Sequence, residues 1–284
     1  MIMIKAYAKI NAGLKIVGKD ENDGYHLLDM AILPLELHDR IEITELPKGY
    51  DTIITCDDCQ VPTDETNLVS KTIKILREKF GFKNEFRIHI HKIIPVGSGL
   101  GGGSADAASV LLALVKHLKI KTSIKELCEI GSKIGSDVPF CILNTSCRVT
   151  SKGEILEPLN LKNKYKVILA RPKNGLITKD VYNKYDEIGS TNKGDIDLLI
   201  KGLRNNDMEL IKNNLVNDLE DSAIAMNSDI QDIKEIFNKN GIEANLMTGS
   251  GSCVFGFFEN AKKGEEVASI LKKAGYITFI TKTM

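Results

Sequence analysis

Apolar and polar positions change period several times along the chain. Phe86, Ile88 and Ile90 alternate with Arg87, His89 and His91, a period of two that predicts a strand with one buried face. Directly before it, Val69, Ile73, Leu76 and Phe80 fall on one helical face over the segment from Asn67 to Gly81, with Gly81 as the stop. After the strand, Ser104 to about Lys119 predicts a helix, and Ser123-Ile-Lys-Glu126 is a capping box opening another that ends near Gly135. Toward the N-terminus, short apolar runs from Ile2 to Val17 predict strands, followed by a polar turn from Lys19 to Gly24. Leu27 to Leu37 is apolar almost throughout, and Arg40 to Glu45 alternates as a strand with one wet face.

The pattern loosens between Leu156 and Lys164, and Tyr165 to Arg171 begins what we read as a second domain. The segments Thr178–Tyr185 and Ile196–Asn205 are expected to be helical, as is Ser228–Asn240 with Ile230, Ile233 and Phe237 inward. Strands at Ala244–Met247, Cys253–Phe258 and Ile277–Thr281, with a helix from Ala261 to Ala274, then suit an antiparallel sheet backed by helices. We therefore expect an N-terminal domain over residues 1–160 and a C-terminal domain over residues 161–284.

Composition narrows the function classes. The 284 residues are 43% hydrophobic, enough for a substantial core. Lysine plus arginine balance aspartate plus glutamate at 38 each, so no global field draws the chain to nucleic acid or to an anionic membrane, and any anion must be held locally. Lys5, Lys9 and Lys15 interrupt the N-terminal apolar runs, and no run reaches the roughly 18 residues that span a bilayer. Six cysteines are scattered, and only Cys56-Asp-Asp-Cys59 is closely spaced, with neither a second pair nor histidines at comparable spacing to complete a zinc site. Reduced thiols in a cytoplasmic protein are the expectation.

The chemistry concentrates between the strand and the helix. Gly97, Gly99, Gly101, Gly102 and Gly103 precede Ser104, where backbone can turn freely and approach a ligand closely, and a helix start offers unpaired N–H groups. Strand, glycine loop and helix in succession make a cradle for phosphate. Three better-known loops fit poorly. A dinucleotide fold wants an acidic residue roughly 20 positions on, a P-loop wants lysine after its second glycine, and His-Arg-Asp and Asp-Phe-Gly do not occur.

Pro95-Val96-Gly97-Ser98-Gly99-Leu100-Gly101-Gly102-Gly103-Ser104-Ala105 resembles the phosphate loop of the GHMP kinases. Ala8-Lys9-Ile10-Asn11, Asp23-Gly24-Tyr25-His26 and Gly135-Ser136-Asp137-Val138-Pro139 extend the resemblance from about Lys5 to the C-terminus. It implies an α+β, two-domain GHMP kinase fold, with a ribosomal protein S5 domain 2-like N-terminal half and a ferredoxin-like C-terminal half. It also implies an ATP-dependent kinase, taking magnesium with the nucleotide, that phosphorylates an alcohol on a cytidine diphosphate-linked sugar alcohol.

By the same resemblance, the loop from Pro95 to Ala105 binds ATP, Asp137 is the general base, and Lys9 supplies charge beside it. Asn11 bonds the sugar alcohol, Tyr25 stacks on cytosine, and His26 bonds its edge, while Tyr182 closes the far side with Thr178 nearby. Asn67 and Lys92 fall on the adenine side, Thr248-Gly-Ser-Gly-Ser252 matches a third glycine segment, and Ser104 is the one candidate near the metal, whose ligands stay unassigned. Leu27 replaces a common glutamate and Ala12-Gly13 a bulkier pair, which touches substrate preference rather than chemistry. Read as residues alone, Asp137 could cap a helix, Tyr182 could be a core tyrosine, and Thr248–Ser252 could be a hairpin turn. A GHMP kinase for another small alcohol, and a catalytically silent nucleotide binder, are the rival readings. The partner is expected to be a small molecule, with the chain a monomer or homodimer.

Overall fold

The computed structural model describes all residues from Met1 to Met284. Its contacts divide the chain into two compact units, one of Met1–Ala8, Leu37–Val96 and Gly101–Asn144, the other of Lys9–Glu36, Gly97–Leu100 and Thr145–Met284. Two long strands, β1 (Ile2–Lys19) and β2 (His26–Leu46), contribute to both. Sequence periodicity divides each into shorter runs. In β2 the polar residues after Leu35 do not break the strand, because Asp39 is fully buried and its oxygens are satisfied.

The first unit continues with β3 (Ile53–Cys56), α1 (Leu68–Phe80), β4 (Glu85–His91), α2 (Gly102–His117), α3 (Ile124–Ile134) and α4 (Val138–Leu143). β4 runs parallel to β3 and antiparallel to the end of β2. Phe86, Ile88 and Ile90 are fully buried as their alternation requires, and they share a core with Ile41, Ile43, Val69, Leu76, Val110 and Leu114. α1 begins where Asn67 Oδ1 accepts the Val69 N–H at 2.8 Å and ends at left-handed Gly81. Ser123 opens α3 by accepting the Glu126 N–H at 3.2 Å. The Glu126 carboxylate goes instead to Thr122 and Lys79, so only half of the expected capping box forms.

A buried ion cluster fixes the stem of the glycine loop. Lys92 Nζ donates to Asp39 Oδ2 at 2.6 Å and to Asp106 Oδ2 at 2.7 Å, and the three side chains are at most 4% exposed. Asp39 Oδ1 also accepts the N–H groups of Ile93 and Ile94, so the exit of β4 is bound to β2 and to the first turns of α2. Removing one partner from such a cluster leaves a buried uncompensated charge.

The second unit adds β5 (Cys147–Ser151), β6 (Ile155–Pro158), β7 (Lys166–Arg171), α5 (Thr178–Ile188), α6 (Ile196–Asn205) and α7 (Met208–Asn214). It is completed by β8 (Val216–Asn217), α8 (Glu220–Met226), α9 (Asp229–Lys239), β9 (Asn245–Met247), β10 (Val254–Phe258), α10 (Ala261–Lys273) and β11 (Ile277–Lys282). The turn from Asp20 to Tyr25 joins β1 to β2, β8 pairs with β1 in parallel, and β5 pairs with the start of β2 and with β6. A separate antiparallel sheet has the order β11-β7-β10-β9. α9 and α10 back it, with Ile230, Ile233 and Phe237 of α9 buried as the periodicity predicts and Val267 and Leu271 of α10 buried as well. Gly13, one of the departures from the family pattern, is set by packing: a Cβ there would overlap Ile196 and Leu199 of α6. No helix is long and apolar enough to cross a membrane, and all six cysteines are free thiols.

The ion cluster generates a pH test. Burial raises the Asp106 pKa to about 7, the Asp39 charge adding to the rise and Lys92 opposing it. A carboxyl raised in the folded state stabilises the fold while protonated, and that contribution is lost as the pH climbs from about 4 to about 7. Asp106→Asn keeps a neutral group in place. Its melting temperature relative to the parent is expected to rise from pH 5 to pH 8; a difference independent of pH would contradict the assignment.

Candidate active site

Two glycine turns meet backbone to backbone in the second unit. Gly97 and Gly99 both have positive φ, 63° and 74°, and a Cβ on Gly99 would overlap the carbonyl oxygen of Thr248. Cys253 N–H donates to Ser98 O, and the Lys9 N–H donates to Leu100 O at 3.0 Å, which stitches the loop to the residue before β10 and to β1. Next to this contact, Lys9 Nζ donates to Asn11 Oδ1 at 2.6 Å, and both side chains are buried. Asn11 N–H in turn donates to Thr248 Oγ1 at 2.9 Å, and Gly249 is close enough that a Cβ would sit 3.4 Å from Asn11 Oδ1. Thr178 Oγ1 is 2.8 Å from Ser250 Oγ, on the same turn. Lys9, Asn11, Thr178, the Gly97–Leu100 segment and the Thr248–Ser252 turn are thus one constellation, and the turn is more than a plain hairpin.

The first unit holds the other end of the loop. α2 starts at Gly102, two residues before Ser104, with Gly101 as a left-handed N-cap that contributes no side chain. The opening amides of a helix have no intrahelical acceptor, and with no side-chain cap they face outward with the positive end of the helix dipole. Gly135 lies against this start, where a Cβ would sit 3.8 Å from Ser104 Oγ. Asp137 follows on the same segment as the residue preceding α4, partly exposed, and its side chain makes no capping bond to that helix. Asp137 thus stands at the N-cap position of α4 without a side-chain bond to the helix, and Pro139 stands in the first turn.

The aromatic residues are only partly gathered. His26 and Tyr182 rings lie 4.9 Å apart with planes tilted by 36°, and Tyr185 meets His26 edge-on at 5.9 Å. His26 Nε2 is 2.8 Å from Asp186 Oδ1 and Lys19 Nζ is 2.8 Å from Oδ2; Lys19 and His26 together hold the Asp186 carboxyl below its ordinary range. Tyr25 is 64% exposed, with Lys152 Nζ 5.9 Å from its ring centre, and Lys152 is held by Asp20 and Asp23. Tyr182 is thus beside His26 rather than in the core.

Two expected nucleotide contacts have structural duties. Asn67 uses its oxygen to cap α1 and its Nδ2 to hold Pro62 O at 2.6 Å, and Lys92 belongs to the buried ion cluster. Sequence reasoning missed Asp186, and also Asn217, which is fully buried and donates to Met247 O and Gly249 O at 2.7 and 2.8 Å. The available signal was the polar run Asn217-Asp218-Leu219-Glu220 after apolar Leu215-Val216, since buried amides and carboxylates need specific partners.

Comparison with known proteins accords with this layout. The family model for the GHMP kinases N terminal domain matches residues 67–145, and that for the GHMP kinases C terminal matches residues 199–277. A curated relative from Clostridium novyi (strain NT), "4-diphosphocytidyl-2-C-methyl-D-erythritol kinase", is 38% identical over 283 residues, covering 100% of each chain. A crystal structure of a 4-(cytidine 5'-diphospho)-2C-methyl-D-erythritol kinase superposes with a TM-score of 0.82 at 27% identity, covering 99% of both chains. A homoserine kinase from Cytophaga hutchinsonii, at 20% identity and a TM-score of 0.75 over 99% of this chain and 94% of its own, shares the fold. On these matches the chain belongs to the GHMP kinases, ATP-dependent enzymes of two-domain α+β fold, and within them to the 4-diphosphocytidyl-2-C-methyl-D-erythritol kinase family.

Proposed function

We propose that this chain transfers the terminal phosphoryl group of ATP to the 2-hydroxyl of 4-diphosphocytidyl-2-C-methyl-D-erythritol, in isoprenoid precursor synthesis by the non-mevalonate route. The observation that carries the reading is the uncapped start of α2 behind left-handed glycines, in a chain matched end to end by kinases of that name.

Phosphoryl transfer asks mainly for positioning and for charge on the moving oxygens. Backbone amides of the loop from Pro95 to Ala105 bind the phosphates, those at Gly102, Gly103 and Ser104 being the free donors of the helix start. Asp137 takes the proton of the accepting hydroxyl. Lys9, oriented by Asn11, offsets negative charge on the transferring group. Asn11 also bonds the sugar alcohol, and Thr178, at the start of α5, reaches the neighbouring turn through Ser250. Tyr25, His26 and Tyr182 hold the cytosine, with Asp186 fixing the His26 ring from behind. The Ser104 hydroxyl, a hard oxygen donor, would help hold a magnesium ion carried with the nucleotide, and that ion would supply neutralisation of phosphate charge. Asn67 and Lys92 support the adenine side through α1 and the loop stem. A cytoplasmic, monomeric or homodimeric enzyme without a nucleic-acid partner completes the proposal, as does a division into domains of residues 1–160 and 161–284.

Three measurements test it. ADP release by the purified chain should require the cytidylylated substrate; release with mevalonate or homoserine and none with that substrate would overturn the reading. Asp137→Asn should lower kcat by about 100- to 10,000-fold while ATP affinity is retained, and unaltered turnover would remove Asp137 from its role. His26→Gln and Tyr182→Leu should each raise KM for the cytidylylated substrate by about tenfold with a smaller change in kcat. An unchanged KM in both would place the base elsewhere.

A further inference from the structure

The outer face of the first unit's sheet carries a group of side chains that phosphoryl transfer does not use. While Phe86, Ile88 and Ile90 of β4 enter the core, His89 and His91 emerge together on the opposite face, their ring centres 4.4 Å apart at 80°. The parallel register sets Thr55 against His89 and Cys56 against Ile90, which brings Asp57 beside the two rings. One ligand atom from each of Asp57, His89 and His91 lies within 4.8 Å of the other two.

We propose that Asp57, His89 and His91 form a site for a divalent transition metal of the zinc class. Ligand atoms 2.0–2.2 Å from a tetrahedral ion stand about 3.4 Å apart, so modest side-chain rotation closes the set. Two imidazoles and one carboxylate favour zinc, nickel or copper over magnesium or calcium, which prefer all-oxygen shells.

The surroundings supply the orientation that metal ligands need. Asp57 Oδ1 accepts the Lys92 N–H at 2.7 Å, which turns Oδ2 toward His91 Nδ1, 3.5 Å away. Glu42 Oε1 sits 3.2 Å from His91 Nε2 and Thr55 Oγ1 is 2.7 Å from His89 Nδ1. One nitrogen of each ring is thereby oriented by a neighbouring oxygen or carboxylate, and each ring has a second nitrogen to offer. Three protein ligands leave the remaining position to water. Because Asp57 is tied to Lys92, an ion here would also fasten the end of β3 to the exit of β4.

Sequence spacing conceals this set, since 32 positions separate Asp57 from His89 and the paired strands alone unite them. The nearby Cys56 and Cys59 are the rival ligands, and the test separates the two. Full-length chain stripped with a chelator is titrated with zinc chloride by calorimetry, and with cobalt(II) followed by its visible absorption. One equivalent should bind with a dissociation constant of micromolar order, and His89→Gln/His91→Gln should weaken it tenfold or more, whereas Cys56→Ser/Cys59→Ser should leave it unchanged. Absence of a saturable site in the parent, unchanged affinity in the histidine variant, or loss of the site in the cysteine variant would each overturn the proposal.

Discussion

The close passage of Gly99 beneath the Thr248 carbonyl is the constraint on which the rest of the site depends. No side chain can occupy position 99 without displacing main chain, so the loop from Gly97 to Leu100 and the turn from Thr248 to Ser252 define each other. Everything adjacent is tuned to that contact: Lys9 N–H bonds Leu100 O, Asn11 N–H bonds Thr248 Oγ1, and Asn217 braces the turn through Met247 O and Gly249 O. A loop held this firmly by backbone is preorganised, and preorganised donors require little rearrangement when charge develops on a ligand.

A second constraint operates in the first unit. Buried ion clusters are often no more stabilising than apolar residues of equal volume, so the contribution of Lys92, Asp39 and Asp106 is better described as register than as gross stability. Asp39 takes three bonds, two of them from backbone N–H groups just past β4. That arrangement determines where the chain leaves the sheet to become the glycine loop. An error of one residue there would move every donor at the start of α2.

Much of this was legible in sequence because it rests on local signals. Alternation gave β4, Asn67 and Gly81 gave the ends of α1, and the glycine run before Ser104 gave the loop that opens α2. The closing antiparallel sheet followed from apolar runs separated by turns. What escaped was non-local or short. β3, β5, β6 and β8 have two to five residues, too few to display a period, and α4, α7 and α8 span two turns or less. Lys92 is expected on the adenine side by resemblance, but its buried bond to Asp39 was not legible, because nothing near Lys92 in sequence announces a partner 53 positions away. Asp186 and Asn217 were missed for the same reason: a buried or paired polar group is recognisable only once its partner is in place.

The account's central claim is that loop geometry, set by the Gly99 contact, makes the ATP site. The most direct measurement is calorimetric titration of ATP into Gly99→Ala, with circular dichroism to verify that the helical content is retained. Affinity should fall by tenfold or more, because the added methyl forces the loop away from Thr248 and misplaces its amides. Parental ATP affinity in a folded Gly99→Ala chain would contradict the claim.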